Sequence, residues 1–186
     1  MEGILKREVV VSRGLSRFIT VAVFIILTSL GGFVRIPLGF TPVPLTLQTF
    51  FVLLCGAFLG SGLGAFTQLS YVSLGFLGLP VFTGNAGIVS LFGPTAGYLF
   101  GFILAAAFIG KFIRQAKNFY AAFALFCLAD FLLLACGSLW LKILLGLPLA
   151  KAFLIGFVPF IPGDFVKAFA ACAAYWKLRS RVKEIF

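Results

Sequence analysis

The chain has 186 residues, of which 62% are hydrophobic, 11% are charged and none is histidine, and it carries a net charge of +10 with a mean hydropathy of +1.16. Soluble domains are about 45–50% apolar and about 25% charged, so a water-soluble fold is excluded, and about 115 apolar residues match the roughly 120 that six membrane-crossing helices need. Long, near-continuous apolar runs exclude a transmembrane β-barrel, whose strands alternate polar and apolar positions.

Taken in chain order, the pattern predicts an all-α polytopic membrane protein, a single integral domain over 1–186 with six transmembrane helices. A basic tail runs to Arg17, and an apolar first helix follows over about 18–34. It is not a cleaved signal peptide, because five further spans follow and no A-x-A site ends it. RIPLGFTPVPL has three prolines and reads as a loop. The second helix covers about 46–58, GSGLG makes a tight turn, and the third helix covers about 65–78. An apolar, glycine-rich segment, LPVFTGNAGIVSLFG, leads to Pro94, which opens a fourth helix to about 114. The fifth spans about 119–145. GLPLAKAFLIGFVPFI is a proline-broken connection, and Pro162 begins a sixth helix over about 162–181.

Charge sets the orientation. With both termini cytoplasmic, the inner face holds Lys6, Arg7, Arg13, Arg17, Lys111, Arg114, Lys117, Lys177, Arg179, Arg181 and Lys183, whereas the outer loops hold Arg35, Lys142 and Lys151. That asymmetry is the positive-inside pattern of the cell membrane. Tyr120, Tyr175 and Trp176 fall at the inner interface and Trp140 near the outer one, as an aromatic belt requires. The positive charge therefore reads as topology and attraction to anionic lipid, not as nucleic-acid binding.

Missing residue types narrow the chemistry. Without histidine there is no His-ligated metal, no Ser-His or Cys-His nucleophile and no histidine relay. Cys55, Cys127, Cys136 and Cys172 all lie in apolar runs without metal-ligand spacing, so no metal or cofactor is expected. No phosphate-loop motif occurs. Paired carboxylates for catalysis are also lacking, which speaks against an intramembrane enzyme. Polar residues collect at the outer third instead of lining a whole path, which speaks against a channel.

The three outer loops are too apolar and too rich in Gly and Pro to be solvated connectors. Non-helical backbone at membrane depth is tolerated where protein buries it or where it lines a cavity, so these loops are expected to roof one pocket near the outer face. Asp164 and Lys167 lie at i and i+3 in the first turns of the sixth helix and share a face. They are either a first-turn acid on the helix dipole with its neutralising cation or a ligand-binding pair, since ionisable groups inside membrane segments are costly. Asn85, flanked by Gly84 and Gly87, is a left-handed turn residue or a ligand contact with both donor and acceptor. Tyr98 is an interface anchor or a flat cover for a ligand, and Gln48 is helix-to-helix glue or a ligand contact. Arg35 caps the site or faces water. Asp130 is the one mid-membrane acid of the fifth helix.

The runs IPLGFTPVPLTLQTF and LGLPVFTGNAGIVSLFGPTAGYLFGF, with the late PFIPGDFVKA, resemble the BioY family over roughly residues 18–180. The resemblance implies the substrate-binding (S) component of an energy-coupling factor (ECF) transporter, with the S-component fold and biotin held near the outer face. It implies partnership with a transmembrane T component and two ATPase subunits, so that ATP is used by the partners alone. On that reading Asp164 and Asn85 satisfy the ureido head of biotin and Tyr98 covers its bicycle. Lys167 meets either the ureido oxygen or the tail carboxylate. An S component for another vitamin is the nearest alternative; a small channel or an intramembrane enzyme is the alternative from a different class.

Overall fold

The computed structural model describes residues 13–82 and 87–183. Its helices are α1 (Arg13–Phe33), α2 (Gln48–Phe76), α3 (Ala96–Phe112), α4 (Phe119–Leu145), α5 (Leu149–Gly156) and α6 (Ile161–Lys183). Among the described residues five helical runs are long and apolar enough to cross a membrane: 14–33, 48–76, 96–115, 119–145 and 149–180.

The expected second and third helices are one run, α2, and no loop spans the expected GSGLG turn. The chain does reverse there, at Gly60, the first residue of GSGLG, whose backbone stands at φ 81° and ψ 176° inside otherwise helical neighbours. That region is essentially confined to glycine. The reversal is proved by contact: Gln48 Nε2 donates to the Tyr71 hydroxyl at 2.5 Å, whereas 23 residues of unbroken helix would separate them by about 35 Å. Two short arms result, 48–59 and 61–76, about 18 and 24 Å long. They press together so closely that a Cβ on Gly64 would come within 2.9 Å of the Gly56 Cα. Among the described residues, the break at Gly60 thus makes six helical segments of five continuous runs.

Two further corrections concern connections. The segment 146–161 is not a plain linker. Gly146 closes α4 in the left-handed conformation (φ 63°, ψ 27°), Pro148 sits at the N-cap of α5, and Pro159 lies in a 3₁₀ turn, Val158–Phe160, that feeds α6. Each proline occupies a site where no backbone N–H is needed. The first loop also carries a short antiparallel ladder, β1 (Arg35–Ile36) with β2 (Leu45–Thr46). The N–H of Leu47 anchors it by donating to Gly31 O at 3.0 Å.

Packing is arranged for lipid. On α6 the buried stripe is Asp164, Ala168, Ala171, Cys172 and Tyr175, while Phe165, Val166 and Phe169 face outward. Small residues inside and large ones outside suit a solvent as apolar as the core, where close approach replaces hydrophobic drive. Tyr175 is not an interface anchor as expected: it is 7% exposed and packs, tilted, between the rings of Phe58 and Phe126. Tyr120 is exposed. Trp176 carries the Arg179 guanidinium 3.4 Å above its ring, and Trp140 donates its indole N–H to Gly93 O at 2.9 Å.

Candidate functional site

A cavity of about 300 Å³ opens among the ends of the helices, at the pole formed by the 34–47 loop, the segment following α2 and the start of α6. It is at the small end of ligand cavities, which run about 300–1,000 Å³. Its apolar wall comes from Leu99 and Phe102 of α3, Leu133 and Leu134 of α4, and Phe82 and Phe160 of the flanking loops. Val43, Pro44 and Leu45 of the proline-rich loop close one side, and Arg35 stands at the rim, exposed.

Asp164 and Lys167 both line this cavity. Asp164, in the first turn of α6 and 2% exposed, pairs with Lys167 through Oδ1, and the same oxygen accepts from Thr49 Oγ1 at 3.4 Å. Lys167 Nζ also donates to Thr46 O at 2.7 Å. One turn of helix therefore presents an anion held by its cation and by the helix N-terminus, whose free N–H groups favour negative charge. The described hydrogen bonds of Asp164 all fall on Oδ1, so its second oxygen retains acceptor capacity.

Gln48 and Tyr98 line the cavity too, though each has a polar partner elsewhere. Tyr98 donates its hydroxyl to Gly156 O at 2.6 Å, leaving its ring as wall. The ring fits because residue 137 is glycine; a Cβ there would strike it. It is buried and is not an interface anchor. Gln48 bridges Thr46 Oγ1 at 3.2 Å and the Tyr71 hydroxyl, so it is helix-to-helix glue and cavity wall at once.

The expected loop site falls differently. Asn85 and Gly84 lie outside the described residues. Gly87 takes up φ 83° and donates its N–H to Gly75 O at 2.8 Å, so it ties the loop to α2, but it is not among the lining residues. Asp130 is buried on α4, also away from the lining. Sequence reading missed Thr46, Thr49, Phe82, Phe102 and Phe160. Thr49 had a local signal, lying next to Gln48 in the first turn of α2. The three phenylalanines had none, because 25 phenylalanines are spread through the chain.

Fold and cavity together define a polytopic helical membrane protein with a small, partly polar cavity at one pole, under loops. A family model described as the BioY family matches residues 6–184, and the chain belongs to that family. It is 42% identical over 152 residues to a probable biotin transporter BioY of Pyrococcus horikoshii, spanning 81% of this chain and 88% of the relative. It is 38% identical over 164 residues to the biotin transporter BioY of Thermotoga maritima, spanning 88% and 95%. Its fold matches a crystal structure of the S-component for biotin from an ECF-type ABC transporter with a TM-score of 0.83 at 28% identity, covering 90% of this chain and 93% of that one.

Proposed function

We propose that this chain is the biotin-binding S component of an ECF-type transporter, and that the cavity at the loop-covered pole is its biotin site. The observation that carries the reading is the buried Asp164–Lys167 pair set into an otherwise apolar and aromatic cavity. Biotin has a flat ureido head with two N–H donors and one carbonyl, an apolar bicycle and an acid tail. The carboxylate of Asp164 accepts a ureido N–H, and the ring of Tyr98, with Phe102 and Phe160, covers the bicycle. Lys167 supplies the donor for the ureido oxygen. Arg35 at the rim supplies a cation for the tail carboxylate. Asn85 with Gly84, and Gln48, complete the polar contacts, and Gly87 ties their loop to α2. Burial of a charged pair here is compensated by ligand and protein together, as buried charges require.

The chain binds and does not catalyse; no cofactor enters the reading. Its partners are a T component and two ATPase subunits, which supply the energy, while this chain carries the site between membrane faces. Reconstitution tests it. In proteoliposomes the chain with its partners and ATP is expected to accumulate biotin, whereas the chain alone binds biotin, hydrolyses no ATP and accumulates none. Accumulation by the lone chain without an imposed ion gradient would contradict the proposal.

Both termini are placed in the cytoplasm and the cavity faces outward, on the positive-inside distribution of Lys and Arg. A membrane-impermeant thiol reagent added outside intact cells should therefore label Val89→Cys, a lining position that is 62% exposed, and should leave Lys117→Cys unlabelled. Saturating biotin should protect the first. Labelling with the opposite sidedness would invert the topology.

A further inference from the structure

Tyr71 does not line the cavity and is fully buried on the second arm of α2, yet it belongs to a polar network that starts at the cavity wall. Lys167 Nζ donates to Thr46 O at 2.7 Å, Thr46 Oγ1 to Gln48 Oε1 at 3.2 Å, Gln48 Nε2 to the Tyr71 hydroxyl at 2.5 Å, and that hydroxyl to Val81 O at 3.2 Å. We propose that Tyr71 is a positioning residue that fixes the amide orientation of Gln48 toward the ligand. This rests on the reading of the cavity as the biotin site.

The direction follows from proton inventory. A phenol has one proton, and Val81 O can only accept, so the proton of Tyr71 goes to Val81 and its lone pair faces Gln48. Gln48 must then present its NH₂ end, which turns Oε1 toward the Thr46 hydroxyl. A flipped amide would set Oε1 against Tyr71 and draw its proton off Val81 O, costing that partly buried carbonyl its donor. With the amide fixed, one N–H and one oxygen lone pair of Gln48 remain uncommitted, at a side chain that lines the cavity. From the Thr46 hydroxyl to Val81 O the three donors all point one way, so these bonds polarise one another. Tyr71 itself cannot turn aside. Its ring is stacked on Phe102 at 6.4 Å and meets the edge of Phe82 at 5.4 Å, both of them cavity walls.

The test is a double-mutant cycle read in biotin affinity on purified protein, with the thermal midpoint of every variant measured alongside. Tyr71→Phe keeps the ring and removes the hydroxyl. It is expected to weaken biotin binding roughly three- to tenfold, the range of one hydrogen bond. In a Gln48→Ala background the same change should have no further effect, because the group through which Tyr71 acts is gone. Equal losses in both backgrounds would mean that the hydroxyl only holds the Val81 loop, and would overturn the proposal; so would unchanged affinity in Tyr71→Phe alone. If the phenylalanine variant does not fold, Tyr71→Met, an apolar filler without a hydroxyl, takes its place in the cycle. Failure of the wild-type chain to bind biotin at all is a different result and would overturn the functional reading itself.

Discussion

Asp164→Asn is expected to weaken biotin binding roughly 10- to 150-fold, because a hydrogen bond to a charged partner contributes about 1.5–3 kcal/mol and each 1.4 kcal/mol is tenfold. The substitution keeps the shape of the side chain. It replaces an anionic acceptor with an amide that offers one weaker acceptor and a donor pointing at the ligand's own donors. The amide oxygen can still take Lys167 and Thr49, and the charge left over is that of Lys167, the more exposed partner at 11% against 2%, so the folded yield should change less than on loss of the lysine. A structural role alone has the opposite signature: a lower thermal midpoint with affinity nearly intact. Measuring both quantities on one preparation separates them, and unchanged affinity would remove Asp164 from the site.

Lys167→Met should act in reverse order, on stability first. Asp164 is 2% exposed and Lys167 is its paired cation; without it, Thr49 at 3.4 Å is the remaining described side-chain partner. Breaking a buried pair by deleting one member costs about 3–5 kcal/mol, and Thr46 O loses its donor as well. A markedly lower unfolding temperature is therefore expected in detergent, with biotin binding lost. Adding Asp164→Asn to the same chain removes the orphaned charge. The midpoint should then recover toward the wild type while binding stays lost. A single Lys167→Met variant that unfolds at the wild-type temperature would show that the pair does not hold Asp164 in place.

Local pattern made some of this molecule legible. Apolar runs over about 119–145 and 162–181 gave α4 and α6, because helix in lipid is imposed wherever backbone groups lack water. The i,i+3 spacing of Asp164 and Lys167 placed them on one face, and the structure seats both in the cavity. What was hidden depends on partners distant in sequence. The turn at GSGLG was read from its glycines, but its compression into the single residue Gly60, with Gly56 and Gly64 in contact, was not, because that contact leaves no mark in hydropathy. Helix α5 was obscured because Pro148 and Pro159 were read as breakers, although both sit at helix starts where proline fits. Tyr175 looked like a belt residue from its place near the end of a span, yet its ring lies on the buried stripe of α6. The backbone carbonyl of Thr46, which anchors Lys167 from 121 residues away, and the Gly156 carbonyl that takes the Tyr98 hydroxyl carry no mark in side-chain sequence at all.

The most direct measurement is equilibrium binding of labelled biotin to the purified chain in detergent, in competition with a panel of unlabelled vitamins. Saturable binding of one biotin per chain is expected, displaced by unlabelled biotin and not by a large excess of any other vitamin. Displacement by another vitamin at lower concentration than biotin, or no biotin binding by a folded preparation, would contradict the assignment of this cavity to biotin.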